Sequence, residues 1–271
     1  MKPAAFDYVR AESVNEVLEG LSKEGGNARV LAGGQSLMAM LNMRLAKPRL
    51  LIDIMRLKEL NRIEEQAGVV TIGAGVRQAA LLAWPELART QPLLARALPW
   101  VGHVQTRSRG TICGSLAHAD PSAEMPLALI ALGGEVHLRN ARRRRRVAAT
   151  EFFLGMMATA RAEDELIEAV SFPARAGERC AFREVARRHG DFAIVACAAV
   201  ATSKGVRFAV GGVADVPQAR DWPRLDGSAL DDALNGFAYE LDARDDVHAT
   251  ARYRRDLVRI IGRDLVREVL Q

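Results

Sequence analysis

One short segment, Ala32-Gly33-Gly34-Gln35-Ser36, limits the possible folds of this chain more than any other. Ala28–Ala32 before it reads as a buried strand, and Leu37 to Leu45 after it as a helix stopped by Pro48. A second strand, Leu50–Asp53, follows closely. Open α/β units place ligands at such a turn, where a strand's C-terminal end passes into a helix. Two adjacent glycines let the backbone approach an anion closely and turn its amides toward it. A single Gly-Gly pair fits a plain strand-to-helix turn equally well. Upstream, Ser13 and Glu16 have capping-box spacing and open a helix with apolar residues Val14, Val17, Leu18 and Leu21, ended by Gly25-Gly26. Residues 1–55 are therefore expected to form one β/α unit.

The texture then changes. Val69–Ala74 is strand-like, stretches 77–83 and 85–100 read as helix, and another helix is expected near 122–132. Glu135–Arg139 and Arg145–Ala149 read as a hairpin turning at Asn140-Ala141, and Leu166–Phe172 as a strand closed by Pro173. Residues 56–175 are thus expected to be a second subdomain with a mainly antiparallel sheet. In residues 176–271, strands are expected at 180–187 and 205–213, with a helix from Phe192 to Ala201 between them and a long helix over 248–270. The fold class is α+β.

A second segment, Thr111-Ile112-Cys113-Gly114-Ser115, again combines glycine with hydroxyls, and Glu124 follows nine residues later. Glu124 is placed either to accept hydrogen bonds from a polyol or to complement a helix N-terminus after Pro121. Other nucleotide motifs are absent. There is no P-loop, and Gly73-Ala74-Gly75 lacks the third glycine of a dinucleotide fingerprint, since Gln78 stands there.

Several function classes are disfavoured. The net charge is +5, equal to the run Arg142–Arg146, and aromatic residues make up 5% without basic interleaving, so no nucleic-acid platform is expected. The run is either a solvated hairpin face or a contact for an acidic partner or an anionic electron acceptor. No apolar stretch reaches the ~18 residues of a membrane span, and no secretory signal opens the chain. Three scattered cysteines read as reduced thiols, implying a cytoplasmic location, and fall short of the four thiolates that usually hold an iron–sulfur cluster. The five histidines follow no metal-ligand spacing, and neither Ser36 nor Ser115 sits in a nucleophile elbow. No catalytic side chain and no metal site are expected.

Ala32-Gly33-Gly34-Gln35-Ser36-Leu37 with Arg44-Leu45-Ala46-Lys47-Pro48, and then Arg109 through Pro121, closely resemble the FAD-binding medium subunits of molybdenum hydroxylases. The block Phe182 to Ala193 and the terminal Tyr253-Arg254-Arg255-Asp256-Leu257 extend the resemblance over the whole chain. It implies a PCMH-type FAD-binding fold of two α/β subdomains plus a C-terminal subdomain. It also implies a cradle for the FAD pyrophosphate at Leu31, Ala32, Gly33, Gly34, Gln35, Ser36 and Leu37 together with Thr111, Ile112, Cys113, Gly114 and Ser115. Glu124 matches the acid for the ribityl chain, Trp100 and Val101 match cofactor contacts, and Ile167 and Arg183 match positions near the flavin ring. Phe192 or Ile194 is expected to cover that ring. Cys113 stands where the family usually has glycine, which puts the second turn in doubt if it needs a positive φ.

The resemblance further implies an electron-transfer role. A large subunit would carry the molybdenum-pterin cofactor and a small subunit two 2Fe–2S clusters, the whole assembling as a dimer of heterotrimers. A self-contained flavin oxidase of the vanillyl-alcohol-oxidase type and a non-enzymatic nucleotide-binding module are the alternatives.

Overall fold

A computed structural model describes residues 2–271 and is a mixed α+β structure built on three main sheets. The first is parallel, with strand Leu50–Asp53 between Asp7–Arg10 and Ala28–Leu31. Helix Val14–Glu24 buries Val14, Val17, Leu18 and Leu21. Ser13 Oγ accepts from the Glu16 amide at 3.2 Å, and Glu16 accepts in return from the Glu12 amide at 2.7 Å. Gly25, with φ +52°, ends the helix. Strand Asp7–Arg10 has little buried surface and gave no alternating signal in the sequence.

The second sheet is antiparallel, in the order Ile63–Gln66, Val69–Gly73, Leu166–Pro173, Glu135–Arg139 and Arg144–Ala148. The expected single helix over 85–100 is broken into Leu87–Thr90, Pro92–Ala97 and the short turn Leu98–Trp100. Proline is the cause. The ring of Pro92 disfavours helical backbone at Gln91, which lies at φ −136°, ψ 65°. The arginine run supplies most of this sheet's edge strand, and acids meet it. Arg145 forms a bidentate pair with Glu165 at 2.7 Å, Arg144 pairs with Glu168, and Arg146 reaches Glu135 at 3.9 Å.

The third sheet is an antiparallel meander of Cys180–Val185, Val195–Thr202, Gly205–Gly211 and Gln218–Trp222. Here the expected helix from Phe192 to Ala201 is instead the strand Val195–Thr202. Alanine content favoured the helical reading, but burial has period two. Ala196, Ala198 and Val200 enter one core, whereas Val195, Cys197 and Ala199 enter another. Small side chains allow helices to pack close on both faces. Glu124–Leu132 lies on one side, and Ala251–Leu270 on the other, together with Gly227–Glu240, a helix absent from the sequence reading. Helix Glu124–Leu132 is buried all round, as suits an element enclosed between other layers.

Candidate cofactor site

Three chain segments converge at the C-terminal end of the parallel sheet. Gly33 packs backbone to backbone on the segment entering the second motif: a Cβ there would stand 2.7 Å from the Gly110 Cα. The Gln78 amide donates to the Gly110 carbonyl at 2.8 Å, and Arg77 forms a bridge with Thr111. Backbone packing thus brings the two glycine-containing motifs, which begin 79 residues apart in the chain at Ala32 and Thr111, against each other.

The first motif is open to an anion. Gly34 adopts φ +71°, which favours glycine, and no carbonyl or side chain among the described residues accepts from the amides of Gly33, Gly34, Gln35 or Ser36. Leu31, Ala32 and Leu37 flank the turn and are half-buried. Ser36 makes no capping hydrogen bond, so its hydroxyl is free. Four consecutive donors in a partly covered turn are the chemistry that a pyrophosphate requires. Gln78, almost fully buried beside Gly110, has a side-chain oxygen without a partner.

The second motif is not a loop. Thr111 is the N-cap of helix Ile112–His118, and its hydroxyl accepts from the Gly114 amide at 3.0 Å. Cys113 lies in the first turn and is absent from the residues with positive φ, so the substitution of cysteine for glycine carries no backbone penalty. Ile112 and Cys113 point into the core, where the thiol meets the Ile72 carbonyl at 3.8 Å, while Gly114 and Ser115 remain half-buried at the surface.

Glu124 opens the next helix and is 5% exposed. Burial pushes its carboxyl up to about 7. Its own backbone amide and the Arg107 guanidinium oppose the rise, and Asp120 adds to it. Arg107 donates to the carbonyls of Pro99, Val101 and Gly102 and so fixes the turn holding Trp100 and Val101. The Trp100 ring lies 5.5 Å from the imidazole of His189, which tethers the segment between strands Cys180–Val185 and Val195–Thr202 to that turn.

The remaining expected residues separate. Ile194 enters the core and donates its amide to the Val185 carbonyl, whereas Phe192 is 60% exposed and available to a planar group. Ile167 is buried on strand Leu166–Pro173 beside a β-bulge. Arg183 is not brought to the two motifs. Strand alternation turns it to the face of helix Ala251–Leu270, where it pairs with Asp264 at 3.0 Å. Arg107 carried no signal in the sequence, whereas Glu184 and His189 lie in the block Phe182 to Ala193 that carries the resemblance, without a site role assigned to either.

Free turn amides, a half-buried wall at Gly114 and Ser115, a buried carboxyl and an exposed aromatic side chain define a protein that holds an elongated anionic cofactor. Residues 4–175 match the family described as the FAD binding domain in molybdopterin dehydrogenase, and residues 180–269 match the CO dehydrogenase flavoprotein C-terminal domain. The nicotine 6-hydroxylase medium subunit of Paenarthrobacter nicotinovorans is 36% identical over 98% of this chain and 98% of its own length. The carbon monoxide dehydrogenase medium chain of Hydrogenophaga pseudoflava is 36% identical over 83% of this chain and 80% of its own. Among solved structures, carbon monoxide dehydrogenase from Hydrogenophaga pseudoflava superimposes with a TM-score of 0.94 at 31% identity, covering 100% of this chain and 99% of that one. Quinoline 2-oxidoreductase from Pseudomonas putida 86 superimposes with a TM-score of 0.93 at 33% identity, covering 99% and 98%. This chain belongs to the FAD-binding subunits of the molybdenum hydroxylase family of oxidoreductases.

Proposed function

We propose that the chain is the electron-transfer station of a three-subunit hydroxylase, receiving electrons from 2Fe–2S clusters of a small subunit and passing them to an external acceptor. Substrate hydroxylation takes place at a molybdenum-pterin centre in a large partner subunit, and the assembly is a dimer of heterotrimers. The observation that carries this reading is the open turn at Gly33–Ser36 packed against the Arg109–Thr111 segment, within a chain matched from end to end by FAD subunits of this kind. Three cysteines, buried in separate places, do not converge on a cluster, in keeping with clusters held elsewhere.

When bound, FAD supplies the redox chemistry, accepting and releasing electrons, while the protein positions it. The amides from Gly33 to Ser36 and the Ser36 hydroxyl would hold the pyrophosphate. Thr111, Gly114 and Ser115 would form the opposite wall, with Glu124 at the polyol chain. Trp100 and Val101 would line the cleft, and Phe192 would cover the flavin ring and exclude water from it. Three subdomains, 1–55, 56–175 and 176–271, would enclose the cofactor between them.

The test is purification of the full chain, alone and co-expressed with its neighbouring subunits. A yellow chain with a flavin spectrum, co-purifying with iron–sulfur and molybdenum proteins, is expected. A colourless chain with no affinity for FAD, or one that oxidises an organic substrate unaided, overturns the proposal.

A further inference from the structure

Glu184 is a buried carboxyl with no part in the cradle just described. It is 6% exposed, and neither side-chain oxygen has a hydrogen-bond partner among the described residues. Strand register sets Glu184 opposite Ala196, and Ala196 opposite Gly211, as one row on one sheet face. A Cβ at Gly211 would stand 3.2 Å from the Pro121 carbonyl and 3.5 Å from the Leu127 side chain. Two rows further along the same face, Arg207 reaches Gly133, which caps the C-terminus of helix Glu124–Leu132. The Glu184 row therefore faces the N-terminal end of that helix, where Glu124 is the first residue.

Two acids enclosed together cannot both ionise without a large penalty. Burial pushes Glu184 up to about 8, the charge of Glu124 adds to the rise, and Glu124 itself is pushed up to about 7. The other charges near the pair are few. Asp120 and Arg107 act on Glu124. Strand Val195–Thr202 carries no charge, and Arg207 on the next strand is held by Asp221. Arg96, on the neighbouring helix Pro92–Ala97, lies beside Cys180 at the far end of the strand. On the opposite sheet face, Arg183 pairs with Asp264, and Arg254 donates to the carbonyls of Ile194 and Gly212. The segment following Glu184 carries Arg187, Arg188, His189 and Asp191, with Arg188 paired to Asp191 and His189 against Trp100.

We propose that Glu184 is a positioning residue that keeps its proton behind Glu124, so that the pair presents one negative charge, and no more, to the side chain of FAD. This rests on the reading that Glu124 faces the polyol of the cofactor. Loss of the second proton places two charges beside an already anionic ligand, so FAD binding weakens as the medium turns alkaline.

The experiment uses the full apo chain and FAD itself, followed by flavin fluorescence from about pH 6 to about pH 9, a range spanning both carboxyls. The wild-type Kd is expected to rise about tenfold across the alkaline half, and that of Glu184→Gln by less than about twofold. Equal slopes overturn the proposal. Glu124→Gln checks the underlying reading, because it should weaken FAD binding even where Glu184→Gln binds as wild type. Unchanged affinity in Glu124→Gln overturns the polyol role of that residue, and with it the link from Glu184 to the cofactor, but not the proton-holding role that melting tests.

Thermal melting of the apo chains isolates Glu184 from the cofactor. A carboxyl raised from 4.5 to about 8 binds more protons folded than unfolded between those values, so it destabilises the fold progressively as pH climbs through them. Glu184→Gln should therefore melt above wild type near pH 9 and converge on it at about pH 4, below the unfolded value. Parallel melting curves overturn the proton-holding role whatever FAD does. A passed melting test with pH-independent FAD binding overturns the link to the cofactor.

Discussion

The backbone of Arg109 closes directly over Gly33: a Cβ at residue 33 would lie 2.7 Å from the Gly110 Cα and closer still to the Arg109 carbonyl oxygen. Backbone atoms cannot swing aside as a side-chain end can. The methyl of Gly33→Ala must therefore push the two motifs apart, and the free amides lose their opposite wall. FAD affinity is expected to fall by at least about tenfold, equivalent to about 1.4 kcal/mol, and stability by about 1–3 kcal/mol through overpacking. Calorimetric titration with FAD and urea unfolding of the same protein separate the two effects. A variant that binds FAD as wild type would show that the contact between the motifs is incidental to the site.

Glu165 anchors the arginine run from within. Its side chain is 1% exposed, accepts two bonds from Arg145 at 2.7 Å, and accepts the Ala162 amide at 2.9 Å. The Arg145 guanidinium holds the Glu165 carboxyl below the usual carboxylate range against the opposing effect of burial. A depressed carboxylate stabilises the fold above its unfolded value near 4.5 and loses that contribution as pH falls through the folded value. Glu165→Gln should cost about 2–3 kcal/mol at neutral pH, less than a fully enclosed pair because Arg145 is partly solvated. Its melting temperature should also fall less steeply than wild type below about pH 4.5. Melting curves across acid pH check both expectations, and a variant as acid-sensitive as wild type would remove Glu165 from the account.

The parts of the fold legible in the sequence are those fixed by local chemistry. Ser13 and Glu16 cap their helix as their spacing predicts, and the turn at Asn140-Ala141 joins two strands. The candidate site was legible as glycines, hydroxyls and one acid, but the clasp of Arg107 on three carbonyls of the preceding turn and the enclosure of Glu184 depend on side-chain placement that no motif marks. The strand Val195–Thr202 shows why local preference misleads: its alanines are chosen to fit between helices on two faces. Ala198→Leu tests this directly. Ala198 is fully buried toward helix Glu124–Leu132, so added bulk should cost about 1–3 kcal/mol or more. The urea midpoint should drop with the slope unchanged. On a solvent-facing helix the same substitution would cost almost nothing, and a neutral result would contradict the two-sided packing.

Cys113 provides the clearest separation between a loop and a helical turn. In a glycine loop with positive φ, restoring glycine at 113 would relieve strain and improve FAD binding. Here residue 113 is helical, its thiol is enclosed against the Ile72 carbonyl, and burial pushes it up to about 12. Cys113→Gly is therefore expected to destabilise the chain by about 1–2 kcal/mol, combining glycine's poor helix propensity with a small lost contact. FAD affinity should change by less than about twofold. The same burial keeps the thiol from becoming a nucleophilic thiolate. Iodoacetamide at neutral pH should leave Cys113, Cys180 and Cys197 unmodified in the native chain and label all three after unfolding, as read by intact-mass spectrometry. Rapid labelling of Cys113 in the folded protein, or tighter FAD binding by Cys113→Gly, would return this segment to an open loop.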